Sequence, residues 1–261
     1  MTKRLAVEWP DPAPFRGRDG APIRLLAVSD MFEPTLVDAR NRQALWPVDL
    51  IVGCGDLDCD DVAFIADAFD APIVYVQGNH DTNERWQQRR DYCPEAMKST
   101  AIVHRAGLSI AGLTWPGRRG KRANRSERLA WSQAVGVATR RLGRVDPMIV
   151  LSHVPPLGAG DAPTDPYHRG FKGYRWLLER LEPTLWLHGH TPLAATDQWK
   201  VQVGPTTVVN VTGAVVIDLI PPTDAAIADR HLRFRLRARS AKTSPQAPQT
   251  PEEPPKAPPE L

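Results

Sequence analysis

The chain has 261 residues, 42% of them hydrophobic and 24% charged, a composition suited to a globular protein with one sizeable core or two small ones. A net charge of +3 argues against nucleic acid as the main partner, and no run approaches the roughly 20 apolar residues of a membrane span. The opening "MTKRLAVEWPDP" meets Glu8, Trp9 and Pro10 before a signal core could form, so the expectation is a cytoplasmic protein. Three cysteines, Cys54, Cys59 and Cys93, fit no metal-finger spacing, and buried or free thiols are expected.

In chain order, "WPDPAPFRGRDGAP" (9–22) reads as irregular, and residues 1–21 are assigned to an N-terminal arm. Short apolar runs come next: "IRLLAV" (23–28), "LIVGC" (50–54), "IVYV" (73–76), "LSIAGL" (108–113), "MIVLS" (148–152) and "TLWL" (184–187). Each is rich in branched or aromatic side chains and bounded by Gly, Pro or Asp, which predicts buried strands. Helices are predicted over 61–69, 126–142 and 171–181, the last from the stripe Phe171, Tyr174, Leu177, Leu178 and Leu181. "TTVVNVTGAVVIDL" (206–219) reads as an antiparallel hairpin turning at Thr212 and Gly213. The alternation of strands and helices over 22–238 predicts a layered α/β domain with a mixed sheet. "HLRFRLRARS" (231–240) reads as an arginine-guarded edge strand. Residues 239–261, Pro-rich and almost without aliphatic side chains, cannot bury enough apolar area to order and are expected to be a disordered tail.

The chemistry lies at the carboxyl ends of the strands. "LLAVSD" ends in Asp30, "IVGCGD" in Asp56, "VYVQGNHD" in Asn79, His80 and Asp81, "MIVLSH" in His153, and "LWLHGH" in His190. In an open α/β sheet, ligands collect outside these ends, so the side chains should converge. Carboxylates, an amide oxygen and imidazoles are a donor set for Mn²⁺, Fe²⁺ or Zn²⁺. Neither a phosphate-binding Gly-rich loop nor a Gly-x-Ser-x-Gly elbow is present, which leaves a metal-activated water as the expected nucleophile.

The succession "SD … GCGD … GNHD … SHVPP … HGHT" resembles the calcineurin-like metallophosphoesterase superfamily over about residues 23–219. The resemblance implies a four-layer α/β/β/α sandwich with mixed sheets and a phosphoester-hydrolysing site at one edge of the two sheets. It implies that Asp56 bridges two metals, that Asn79, His153 and His190 complete one position, and that Asp30 belongs to the other. His80 would assist the leaving group, with Asp81 orienting its ring or serving as a cap. Two positions depart from the family pattern: Phe32 and Pro192 stand where histidines are expected. The expectation is therefore one tight divalent ion, with the second weak or absent unless Glu33 or His188 substitutes. His188 itself reads as a strand-end histidine and not as a direct ligand.

Around this set, "WPGRRGKRANRSERLAWS" (115–132) is either a solvated surface or an electropositive lip for a phosphorylated substrate. His168 and Arg169 in "DPYHRGF" are candidate substrate-binding residues, although capping would account for them equally. The resulting expectation is a metal-dependent hydrolase of small phosphomonoesters or phosphodiesters. The competing expectation is a catalytically impaired binding scaffold that docks a protein partner through its Pro-rich tail.

Overall fold

The computed structural model describes residues 2–81, 91, 93–117, 125–195 and 198–223. Among these, eleven strands form two mixed sheets. The first sheet has the order β1 (Lys3–Glu8), β11 (Gly213–Ile220), β2 (Ile23–Ser29), β3 (Leu50–Gly53) and β4 (Ile73–Tyr75). The second has the order β5 (Ile102–Arg105), β6 (Leu108–Leu113), β7 (Met148–Ser152), β8 (Leu185–His188), β10 (Thr206–Asn210) and β9 (Lys200–Val203). Strands β2–β3–β4 and β6–β7–β8–β10 run parallel, and antiparallel strands flank each set.

The central strands read as continuous apolar runs because both of their faces are covered. Leu25 and Ala27 of β2, Ile149 and Leu151 of β7, and Leu185 and Leu187 of β8 point into the space between the sheets. Their neighbours face outward: Leu26, Val28 and Ile51 under one helical layer, Met148, Val150 and Trp186 under the other. The first layer comprises α1 (Ala39–Leu45) and α2 (Cys59–Phe69), the second α3 (Glu127–Arg140) and α4 (Lys172–Leu181). The result is the expected α/β/β/α sandwich.

Several expectations need correction. Residues 206–219 are not a hairpin. β10 pairs with β8 and β9, whereas β11 pairs with β2 and β1, so the chain changes sheets at Val211–Thr212. The true hairpin is β9–β10, turning at Gly204 and Pro205. Part of the supposed arm is β1, an edge strand parallel to β11 that turns Leu5 and Val7 toward the core between the sheets. Cys59 and Cys93 are joined as a disulfide, their Cα atoms 5.6 Å apart, and only Cys54 is a buried free thiol. No helix among the described residues is long and apolar enough to cross a membrane. The edge strand expected at 231–240 and the tail expected at 239–261 lie outside the described residues.

α3 and α4 are tied by more than apolar contact. The Glu127 carboxylate, in the first turn of α3, accepts the Gly173 N–H at 2.9 Å and so satisfies a free donor at the start of α4. Glu127→Ala removes that acceptor and should destabilise the fold by about 1 kcal/mol, the usual effect of losing a cap. Equilibrium urea unfolding of the two proteins measures it, and an unchanged midpoint would show the cap to be idle.

Candidate metal centre

Two sheets place their strand ends side by side, and the expected residues meet there. Asp30 follows β2, Asp56 follows β3, Asn79 and His80 follow β4, His153 follows β7, and His190 follows β8. Ligand atoms of Asp30, Asp56 and His153 lie within 4.8 Å of one another. The His153 and His190 rings are 4.9 Å apart between centroids. Hydrogen bonds join the two sheets at this edge: His153 Nδ1 to the Cys54 carbonyl (2.8 Å), Trp115 N–H to the Gln77 carbonyl (2.9 Å), and His190 N–H to both Asp30 oxygens (3.0 Å each).

Local backbone geometry is unusual at three of these positions. Asp30, Asp56 and His190 have φ of 62°, 56° and 64°, the left-handed region that costs a side-chain-bearing residue free energy and concentrates at functional sites. The crowding explains the motif glycines. A Cβ on Gly78 would collide with the Asp56 carboxylate and stand 2.8 Å from His153 Nδ1, and one on Gly189 would collide with Ser29 Oγ and the Asp30 carboxylate.

Asp56 is the centre of the hydrogen-bond pattern. Its Oδ1 accepts the His80 backbone N–H (2.7 Å), and its Oδ2 lies 3.2 Å from His153 Nε2 and 3.8 Å from His80 Nε2. His153 Nε2 also lies 2.9 Å from Asn79 Oδ1. Burial alone would lower the His153 pKa, but the Asp56 charge and hydrogen bond, the Asp30 charge and the Cys54 carbonyl lift it to about 9. Burial likewise opposes ionisation of Asp56, yet His153 and the His80 N–H hold its pKa below the ordinary value. His153 is thus an imidazolium, whose Nε2 proton sits among the oxygens of Asp56 and Asn79.

Asp81 binds the backbone of the turns that follow β3 and β4. Among the described residues, its Oδ2 accepts the backbone N–H groups of Asp56 and Gly78, both at 2.8 Å, tying the β3 and β4 loops together. Burial, and then the Asp56 charge, push its pKa up to about 7 despite those two donors. His80 stands at the rim with 49% of its side chain exposed.

The remaining expected residues divide. His168 reaches the site: its ring is 5.2 Å from that of His190, and its Nδ1 is hydrogen-bonded to the Asp165 carboxylate. Arg169 is exposed, and its backbone carbonyl accepts from Arg125. His188 is wholly buried, with Nδ1 on the Gly189 carbonyl (2.9 Å) and Nε2 turned toward Gly160. Burial lowers its pKa to about 4. Glu33 accepts from the Thr35 hydroxyl (2.9 Å). Phe32 packs edge-on to Phe64 of α2 (5.8 Å between centroids), and Pro192 is exposed. Of the basic stretch 115–132, residues 118–124 lie outside the described residues, and Arg125 is engaged by backbone carbonyls instead of facing solvent. Tyr167, Trp115 and Thr212 were not expected here, yet they line the site: the Tyr167 and Trp115 rings are 5.1 and 5.5 Å from that of His190, and Thr212 Oγ1 donates to Asp30 Oδ2 (3.2 Å).

This donor set fits a divalent cation. Metal-binding imidazoles characteristically give their second ring nitrogen to a carbonyl or carboxylate. His153 has Nδ1 on the Cys54 carbonyl, and His190 has Nε2 on the Tyr167 carbonyl (3.0 Å). The remaining nitrogen, which for His153 is the Nε2 between the Asp56 and Asn79 oxygens, is the one that would serve as a ligand.

Fold and site together define a class, a two-sheet α/β sandwich with an acidic and imidazole cluster at the common edge of the sheets. The chain belongs to the calcineurin-like phosphoesterase family, whose sequence pattern matches residues 23–194. Its fold is similar to that of TT1561 from Thermus thermophilus, at 18% identity and a TM-score of 0.52, over 74% of this chain and 90% of that one. It is also similar to a dimetal phosphatase from Danio rerio, at 11% identity and a TM-score of 0.51, over 74% and 88% of the two chains. Likeness at these identities concerns the fold. No curated protein matches the sequence.

The charge on His153 gives metal binding a pH dependence. Below about pH 9 the Nε2 proton must leave before a cation can take its place. Mn²⁺ affinity should therefore rise with pH, by up to roughly tenfold per unit between pH 7 and 9, and flatten above. Ionisation of Asp81, whose pKa is about 7, acts in the same direction by adding negative charge. Titration calorimetry in buffers of different ionisation enthalpy should find about one proton released at neutral pH. An affinity independent of pH would contradict the protonated state of His153.

Proposed function

We propose that the protein is a divalent-metal-dependent hydrolase of small phosphomonoesters or phosphodiesters. The observation that carries this reading is the approach of Asp30, Asp56 and His153 to within 4.8 Å at the meeting of the two sheets. In this reading Asp56, Asn79, His153 and His190 hold one ion, and Asp30 contributes to a second, weaker position. A cation so held supplies Lewis acidity for the phosphoryl group and activates a water as nucleophile.

The chain's own residues then have distinct tasks. His80, tethered through its backbone to Asp56 and exposed at the ring, delivers a proton to the leaving oxygen. Asp81 positions both loops through the Asp56 and Gly78 amides. His168, held by Asp165, offers a donor to phosphoryl oxygens beside His190, and Arg169 supplies charge at the rim. A pure binding scaffold has no use for an exposed imidazole beside the bridging carboxylate, which favours the enzyme.

The Mn²⁺-loaded protein should hydrolyse an aryl phosphate or a bis-aryl phosphodiester, and chelation should abolish the activity. No turnover with Mn²⁺, Fe²⁺, Co²⁺, Ni²⁺, Zn²⁺ or Mg²⁺ on either substrate would defeat the reading. His80→Ala should lower kcat by about 10²–10⁴-fold while metal content stays unchanged. Loss of metal from that variant would make His80 a ligand instead.

The departures at Phe32 and Pro192 predict asymmetry. Neither side chain offers a lone pair, and the Phe32 ring is packed on Phe64. After dialysis, about one Mn²⁺ per chain should remain, measurable by elemental analysis. Two ions of equal strength would redirect attention to Glu33 and His188.

A further inference from the structure

The segment between β7 and α4 is a loop that would be free to move were it not fastened at several points. Asp161, nearly buried, accepts the N–H groups of Gly158 (2.9 Å) and Gly170 (2.8 Å), closing the loop on itself. Asp165 Oδ1 accepts the Tyr167 N–H (2.9 Å), and its other oxygen meets His168 Nδ1. Arg125, just ahead of α3, donates to the carbonyls of Pro166, Tyr167 (2.7 Å) and Arg169 and lies 4.7 Å over the Phe171 ring. A guanidinium in reach of three carbonyls of one loop is a latch, because its planar donors fix the direction of each carbonyl.

The latched loop delivers one residue to two of the expected ligands. The Tyr167 hydroxyl accepts from Asn79 Nδ2 at 3.1 Å, and the Tyr167 main-chain carbonyl meets His190 Nε2 at 3.0 Å. The two contacts act differently. An amide can present either its oxygen or its nitrogen; the His153 Nε2 proton takes Oδ1 at 2.9 Å, and the phenol accepts the Nδ2 thereby turned toward it, anchoring the other end of the amide. A neutral imidazole can carry its proton on either nitrogen, and a carbonyl accepts only from a protonated one, so His190 bears its proton on Nε2.

We propose that Tyr167 is a positioning residue of the metal centre, its phenol anchoring the amide nitrogen of Asn79 and its carbonyl setting the tautomer of His190, with Arg125 holding it in place. The proposal rests on the metal-site reading above and adds a residue outside the family's expected set. It makes cation affinity a property of the loop over 158–170 as well as of the ligands, and partners of this kind typically contribute roughly 10–100-fold to metal affinity.

Tyr167→Phe keeps the ring and the carbonyl and deletes the hydroxyl that accepts from Asn79. Calorimetric titration with Mn²⁺ should show affinity lowered by about 10–100-fold, while the melting temperature of the metal-free protein is unchanged. Equal Mn²⁺ affinity in Tyr167→Phe and the parent overturns the role of the phenol. Arg125→Met releases the loop, and long-range ¹H–¹⁵N correlation of the metal-free protein reads the histidine tautomers directly. His190 should be protonated at Nε2 in the parent and mixed in Arg125→Met; protonation at Nδ1 in the parent overturns the role of the carbonyl. If the parent binds no cation, the phosphoesterase reading and the affinity role of Tyr167 fall together, whereas the tautomer result still decides whether the loop sets His190.

Discussion

An ionised carboxylate at a nearly buried position is the constraint around which the edge of the sandwich is built. Asp56 has only 10% of its side chain exposed, and burial opposes its charge. The charge survives because the His153 imidazolium and the His80 amide face it. That pairing has a cost elsewhere. Asp81, itself buried and next to the Asp56 charge, cannot ionise as readily, so its pKa moves up to about 7 while that of Asp56 moves down. Neighbouring carboxyl groups with pKa values driven apart by their surroundings are a mark of sites that handle charge, whether that of a proton or of a cation.

The same constraint shapes the backbone. Five strand ends drawn from two sheets share one small volume here, and at three of them, Asp30, Asp56 and His190, the chain turns through positive φ. Strain of this kind persists only where surrounding contacts over-determine it. Here they do: the Cys54 carbonyl holds His153, the His190 N–H holds Asp30, and Asp81 binds both the Asp56 and Gly78 amides. All of these bonds except the one to Gly78 join different strand ends, and two of them join different sheets. The apolar core between the sheets and the polar cluster at their edge thus depend on the same relative placement of the layers.

Much of this was legible in the sequence, for reasons that differ between fold and site. Strands such as "MIVLS" announce themselves because both faces are buried, and the ligand-type residues stand at their ends because that is where parallel strands deliver side chains. Sheet membership is less legible. Val209 and Val215 face the same core from opposite sheets, and nothing in their spacing distinguishes a hairpin from a crossing between layers. β1 was hidden by its charged residues, although Leu5 and Val7 carry the alternation that marks a half-buried strand. The disulfide joins cysteines 34 residues apart, and no local pattern encodes it. The roles of Tyr167 and Arg125 escaped notice because their contacts are largely to or from main-chain carbonyls, which any residue supplies. The local signals were "DPYHRG", singled out for His168 and Arg169, and the basic stretch 115–132, which contains Arg125 but was read as a surface or a lip.

Phe32 and Pro192 stand where the family resemblance leads to expecting histidines, and neither side chain has a lone pair to offer. Phe32 fills space against Phe64 on the outer face of the first sheet, and Pro192 lies exposed beyond the His190 turn. Asp30 is held by the His190 N–H through both oxygens and by the Thr212 hydroxyl. Its charge still acts at the site, since it helps raise the pKa of His153. On the one-cation reading, Asp30 therefore keeps an electrostatic task after losing most of a coordinating one. It adds negative potential where a divalent ion must displace a proton, and it binds the β2 end to the β8 turn that carries His190. An amide or alcohol at position 30 could keep one of those hydrogen bonds but not the charge, so the two contributions of Asp30 are separable in principle by Asp30→Asn.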